Sequence, residues 1–469
     1  MRASLLLKNG YIVTVDPERR IIPDGWVLVG NDRIVGVGSM AHGAPTSADE
    51  VIDLGGRLTI PGLVNGHNHH WGSLLKNTGE GLAISGWLNT VAYPALAHLT
   101  TEDLRIAAYV SALEQLSTGT TCSLNHLTNV NDTTTLKAII EPAIEVGVRQ
   151  LVAKELRSPP RRPFAQSHPV PPHVRTKEEE LALAEEAVGV WDGAGGLITM
   201  GLALETGSGW MVHNLTSDEI IVEGAELAAR LGLRISDHCS GGSAEFHALT
   251  GGSEIDYLEN LGVLHENWVL VHGTGLSAHD VGRIAHAGAS VITNPISNAF
   301  LTTGTVPLRE LFRLEVPVGL GTDGAYVSGS LDMVRQMTFL TLLHNSAAGD
   351  PRFVSSESAL EMATRGSAVA LGLDHDIGSL EVGKKADLAV FDFSRPHVGI
   401  PNRPVGALVH SANGSDAWLV VVNGNVLVRD GSLCFSASDG VFEEARRRSE
   451  ELLQRTGLID RVRPSWSTF

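Results

Sequence analysis

The chain has 469 residues, 43 % of them hydrophobic and 19 % charged, with a formal net charge of −18. A chain of this length and apolar content buries a sizeable core, which excludes a disordered or low-complexity protein. The acidic balance lacks the basic face that a nucleic-acid partner needs, so it reads as surface charge for solubility.

Residues 1–58 read as short strands joined by turns. Apolar or β-branched runs at 5–7, 11–15, 26–29 and 34–37 are punctuated by Asn9-Gly10 and Gly30-Asn31, dipeptides that favour turns. The first residues lack a signal-type apolar core, and no run of about 18 apolar residues occurs, so no membrane partner is expected. Three cysteines, Cys122, Cys239 and Cys434, form no CxxC pair. The expectation is a reducing, cytoplasmic setting without disulfides.

From about 59 to 390, apolar strand-like runs alternate with helix-like runs. The strand candidates lie at 58–64, 120–124, 150–153, 199–204, 234–236, 268–271, 290–293 and 316–321, with helical stretches such as 98–117, 217–231 and 278–287 between them. Eight strands alternating with helices over this length fit a parallel (β/α)8 TIM barrel. A doubly wound sheet would alternate too, but no GxGxxG follows the first strand and no Walker-A sequence appears. Beyond the barrel, runs at 388–391 and 418–422, an Asn423-Gly424 turn and a run at 426–428 repeat the strand-and-turn texture of the start. The expected organisation is therefore residues 1–58 and 391–469 forming one small β-sandwich around a barrel at 59–390. Residues 440–455 read as a charged amphipathic helix, a surface or subunit-contact element.

The chemistry concentrates where strands end. In Pro61-Gly62-Leu63-Val64-Asn65-Gly66-His67-Asn68-His69-His70, His67 and His69 are two apart on a strand and point to the same side. In a barrel that side is the interior at the catalytic mouth, where two neutral imidazoles suit a divalent transition metal. Asn68 and His70 are the competing register. His238 ends the run 234–237, His272 ends 268–271, and Asp323 follows 320–322. Each is a polar residue at the end of a different strand candidate, in barrel order.

These residues, with STGTT at 117–121, NPISN at 294–298, GTDGAYVSGSLDM at 321–333 and IGSLEVGKKADLAVFD at 377–392, resemble the amidohydrolase superfamily. The likeness runs nearly the whole chain and is strongest to its triazine hydrolase, chlorohydrolase and deaminase branch. The resemblance implies one divalent metal ion held by His67, His69 and His238, with Asp323 beside it and His272 near the reacting atom. Zinc is the first expectation, with iron, cobalt or manganese as alternatives. Such a metal lowers the pKa of water from 15.7 to about 7. Asp323 would act as general base and His272 would polarise the attacked group. Two-metal relatives use a strand 4 lysine, which 199–206 lacks; Lys154 after strand 3 is the nearest alternative.

The sequence departs from the resemblance at one position. The branch usually carries a glutamate three residues after the strand 5 histidine, and here that residue is Gly241. Glu205 and Glu155 are alternative acids. The missing acid shifts the expected reaction toward cleavage of a small amide, urea or carbamate, as in phenylurea and molinate hydrolases. Deamination or dechlorination of an N-heterocycle is the alternative. For substrate contact the candidates are His126, Arg157, Glu205 and Trp71. His126 could equally make a structural hydrogen bond, Arg157 could pair with Glu155, and Trp71 and Trp87 could simply pack their loop. Cys239 reads as packing. The Pro- and Arg-rich run 157–173 reads as a loop over the barrel mouth. The partners expected are a small-molecule substrate and a second copy of the chain in a homodimer.

Overall fold

The computed structural model describes residues 4–128, 130, 132–157, 175–206, 216–242 and 244–463. Eight parallel strands pair in chain order: Leu63–Asn68, Thr120–His126, Arg149–Glu155, Ile198–Leu204, Ile235–Cys239, Trp268–His272, Ser290–Thr293 and Val318–Leu320. The ring closes where the backbone N–H groups of Thr322 and Asp323 donate to the His67 carbonyl at 3.1 and 3.0 Å. This is the expected TIM barrel.

Strand parity explains why these runs carry apolar residues on both faces. Leu151 and Ala153 face an inner cluster with Val64, Leu124, Val269 and Ile292, whereas Val152 joins the outer cluster under the helices. Buried on both faces, such strands cannot alternate polar with apolar residues. The connecting helices carry clear end signals. Ser217 and Ser277 cap Asp218–Leu231 and Ala278–Ala287 at their N-termini, and left-handed Gly232 and Gly288 close them.

The expected sandwich is a nine-stranded sheet contributed by both chain ends, with its own apolar core including Leu5, Leu7, Val27, Val29, Leu388 and Val421. Leu58–Pro61 joins the two halves, pairing parallel with Leu5–Val13 and antiparallel with Leu388–Phe391. The run 58–64 is thus two strands rather than one. It changes sheet at Gly62, whose N–H donates to Asp387 O (3.0 Å) while Leu63 N–H donates to Gly119 O (3.0 Å). A Cβ on Gly62 would fall 2.7 Å from the Thr121 Cβ, so only glycine allows this crossing. Asn9-Gly10 is likewise a bulge inside the strand Leu5–Val13, not a turn: Asn9 takes φ 59° and the register to Ile21–Gly30 shifts there. Gly30-Asn31 and Asn423-Gly424 do turn hairpins, as expected.

A buried ion pair pins the sheet to the barrel. Arg149 Nε lies 2.8 Å from Asp387 Oδ2, and Asn423 N–H donates to Asp387 Oδ1 at 2.7 Å. The C-terminal helix Ser438–Arg455 spends its apolar face within the chain, burying Ala445, Leu452 and Leu453. Its Arg448 and Arg455 pair with Asp103, and Ser449 Oγ donates to Leu74 O at 2.6 Å, bracing the segment that follows the first barrel strand. Among the described residues no helix is long and apolar enough to cross a membrane.

Candidate active site

The first barrel strand delivers His67 and, just past its end, His69 into the barrel mouth. Their ring centroids are 4.7 Å apart, and His238 from the fifth strand stands 5.0 and 5.2 Å from them. His70 turns away, as the parity argument requires: its Nδ1 meets Nδ2 of Asn125, which alternates outward from inward-facing Leu124, at 3.0 Å. Asn68 donates to Ser111 Oγ at 3.1 Å. The competing register is therefore built into the packing and not into the mouth.

Hydrogen bonds orient the imidazoles of His69 and His238. His69 Nδ1 donates to His126 O at 2.9 Å, and His238 Nδ1 donates to Glu205 Oε1 at 2.9 Å. Both rings then present Nε2 to the same point, with the two atoms 3.2 Å apart. His67 has both ring nitrogens buried without a hydrogen-bond partner. Two tetrahedral ligands about 2.0–2.1 Å from a zinc ion stand roughly 3.3 Å apart, so the donor set fits such an ion. Without a cation, converging lone pairs and an orphaned buried imidazole would both cost free energy.

Asp323 completes the cluster from the eighth strand. Its Oδ1 lies 3.7 Å from Nε2 of both His67 and His69, while Ser297 Oγ donates to Oδ2 and the Gly324 N–H to Oδ1, each at 2.6 Å. His272 is anchored through Nδ1, 2.8 Å from Asn298 Oδ1. Both His272 (φ 73°) and Asp323 (φ 59°) hold left-handed backbone conformations that are unfavourable away from glycine. Such strain concentrates at functional sites.

Burial dominates the electrostatics. It pushes His69 down to about 3 and His126 and His272 down to about 4, and holds His67 well below the usual histidine range. Neutral imidazole is the form that ligates a metal. Burial alone would raise Asp323, but neighbouring His272 and His69 and the bond from Ser297 bring it below the ordinary carboxylate value. Burial would raise Glu205 likewise, and His238 and His126 reverse that. Asp323 and Glu205 are therefore carboxylates at neutral pH.

The chain belongs to the amidohydrolase family. That family's model matches residues 58–427. A 5'-deoxyadenosine deaminase of Methanosarcina mazei is 30 % identical over 462 residues, covering 97 % of this chain and 99 % of that protein. A 5-methylthioadenosine/S-adenosylhomocysteine deaminase of Moorella thermoacetica is 31 % identical over 450 residues, covering 95 % and 98 %. Among solved structures, a zinc-bound adenosine deaminase from Xanthomonas campestris superposes with a TM-score of 0.87 at 25 % identity, covering 97 % and 99 %. A zinc-bound atrazine chlorohydrolase from Arthrobacter aurescens TC1 shares the fold, with a TM-score of 0.85 at 22 % identity over 95 % and 100 % of the two chains.

Other residues of this amidohydrolase fall at varying distances from the cluster. His126 is wholly buried, its ring 4.4 Å from that of His238 and its Nδ1 3.0 Å from Ser236 Oγ. Trp71 lies buried against Tyr326, 6.4 Å from the His69 ring. Arg157 sits 3.9 Å from the Glu155 carboxylate at the end of the third strand. Lys154 is not in the cluster: parity turns it outward to Glu180, 2.5 Å away, so the two-metal alternative has no lysine there. Cys239 is buried among the outer apolar residues. Of the run 157–173 only Arg157 is among the described residues. Ser297, Asn298 and Tyr326 were not singled out from sequence as site residues. The first two lie within NPISN and the third within GTDGAYVSGSLDM, stretches that carried the resemblance without assigning each side chain a task.

Proposed function

We propose that the protein is a metal-dependent aminohydrolase that deaminates an adenosine-type 6-aminopurine. The observation that carries this reading is the convergence of His67, His69 and His238 beside an ionised Asp323, in a chain whose full-length relatives at 30 and 31 % identity are named as deaminases of adenosine derivatives. Zinc is the metal we assign, because the donor set is three imidazoles and the similar adenosine deaminase is zinc-bound.

His67, His69 and His238 would hold the ion. A bound zinc supplies Lewis acidity and lowers the pKa of water to about 7. Asp323, fixed by Ser297 and Gly324, accepts a proton from the attacking water. His272, neutral and locked through Asn298, is placed to hydrogen-bond the reacting ring carbon's substituent. Both water protons end on the products, one on the ring nitrogen and one on the leaving amine, as the C–N bond breaks and ammonia departs. Asp323 and His272 are the groups we assign to pass them. We further assign His126 and Trp71 to the wall of the substrate site, and Arg157 to its rim.

Cleavage of a small amide, urea or carbamate is the second reading. One observation favours it: the position of the expected strand 5 acid is Gly241, which leaves no carboxyl there for the ring nitrogen. A coupled ammonia assay separates the two. Release of ammonia from adenosine, 5'-deoxyadenosine or 5-methylthioadenosine, with no turnover of aryl ureas or carbamates, is the expected result. Turnover of ureas or carbamates alone would reverse the order of the two readings.

A further inference from the structure

Position 241 is closed to any side chain, not merely occupied by a small one. Gly241 takes φ 67°, and a Cβ there would stand 2.7 Å from the Gly275 carbonyl carbon, closer still to its oxygen, and 3.1 Å from Leu276 N. Gly275 is equally constrained, its own Cβ position lying 2.8 Å from Ser240 O. The two loops after the fifth and sixth strands therefore press backbone against backbone, in space an acid side chain would have to leave. The nearby acids Asp237 and Glu254 do not fill the gap. Asp237 bonds Thr206, and Glu254 accepts the Ser240 N–H at 3.1 Å, so both carboxyls are spent on the loop.

Glu205, at the end of the fourth strand, is the carboxylate that does reach the cluster from this side. Its Oε1 accepts from His238 Nδ1 at 2.9 Å and lies 3.4 Å from His126 Nε2, with its side chain only 12 % exposed. We propose that Glu205 is the positioning residue of the metal site: it holds His238 in the tautomer that turns Nε2 to the ion. The other rotating ligand, His69, gets the same service from a backbone carbonyl, which substitution cannot remove. Among the described residues the acceptor at His238 Nδ1 is a side chain, Glu205, rather than a backbone carbonyl. A carboxylate behind a ligating imidazole also raises its basicity, and loss of such partners weakens metal binding about 10–100-fold.

This inference rests on the metal-site reading, and its test separates the two. Full-length protein stripped of metal is titrated with zinc against a chromophoric chelator, in the wild-type, Glu205→Ala and Glu205→Gln forms. The expected result is zinc affinity lowered about 10–100-fold in Glu205→Ala. Glu205→Gln, whose amide oxygen still accepts from Nδ1, is expected to bind more tightly than Glu205→Ala. Equal affinities for wild type and Glu205→Ala overturn the inference alone, as does a Gln form no better than the Ala form. A wild-type protein that binds no zinc overturns the metal-site reading as well. Unchanged zinc affinity with a raised KM would make Glu205 a substrate contact instead.

Discussion

Replacing Gly241 by alanine asks whether the strand 5 acid is missing by accident or excluded by the fold. Two costs add. An L-residue at φ 67° gives up about 1–2 kcal/mol in the left-handed region. The new Cβ would meet backbone atoms of Gly275 and Leu276, which cannot rotate aside, and such overpacking costs about 1–3 kcal/mol. Gly232 provides the control, because it closes a helix at φ 69° with nothing within 4 Å of its Cβ position. Gly232→Ala should lose only the conformational part. Denaturant titration of both variants, compared by midpoint at a common slope, should place Gly241→Ala lower by about 1–3 kcal/mol. If Gly241→Ala is no less stable than Gly232→Ala, the loops are not locked together and the argument for Glu205 loses its steric half.

Other outcomes follow from the same geometry. Asp323→Ala should cut turnover by about 10²–10⁴-fold, the usual worth of a general base, while Cys239→Ala, buried on the helix side, should leave it nearly unchanged. Equal losses at both would contradict the strand parity. Asp387→Asn should cost about 3–5 kcal/mol in denaturant unfolding, because it leaves Arg149 charged and buried. His344 tests pH dependence away from the site. Burial pushes it down to about 4 from an ordinary 6.5, so the unfolded chain takes the proton first and stability falls as pH drops from 6.5 to 4. The full loss is about 3 kcal/mol at 1.36 per pH unit. The stability difference between wild type and His344→Leu should shift by that amount between pH 7 and 4, and a constant difference would refute the assignment.

The barrel and the polar residues at its strand ends were legible because they follow from periodicity. His67 and His69 are two apart, and His238, His272 and Asp323 each follow an apolar run, so periodicity places all five at strand ends. Aiming His272 inward takes its left-handed backbone at φ 73°, because alternation after inward Val269 and outward Leu270 would turn it to the helices. Parity also explained why Lys154 and Cys239 point elsewhere. What stayed illegible depends on chain segments far apart in sequence. The split at Gly62 needs the Thr121 side chain beside it. The Asn9-Gly10 bulge looks like a turn until Ile21–Gly30 pairs across it. Glu205 was one acid among several candidates, and only the placement of the fourth strand beside the fifth brings it onto His238. The C-terminal helix shows amphipathicity in sequence, but not that Asp103 and Leu74 of the same chain receive it. The absent acid at 241 was visible from the motif, whereas the reason for its absence lies in the loop of Gly275.

Zinc-dependent deamination is tested by the ammonia released from 5'-deoxyadenosine by full-length protein, before and after chelator treatment and after zinc is restored. The expected result is stoichiometric ammonia, its loss on metal removal and its return with zinc, with none of the three in His67→Ala. Ammonia release that persists in fully metal-free protein, or none from any adenosine derivative with zinc bound, would contradict it.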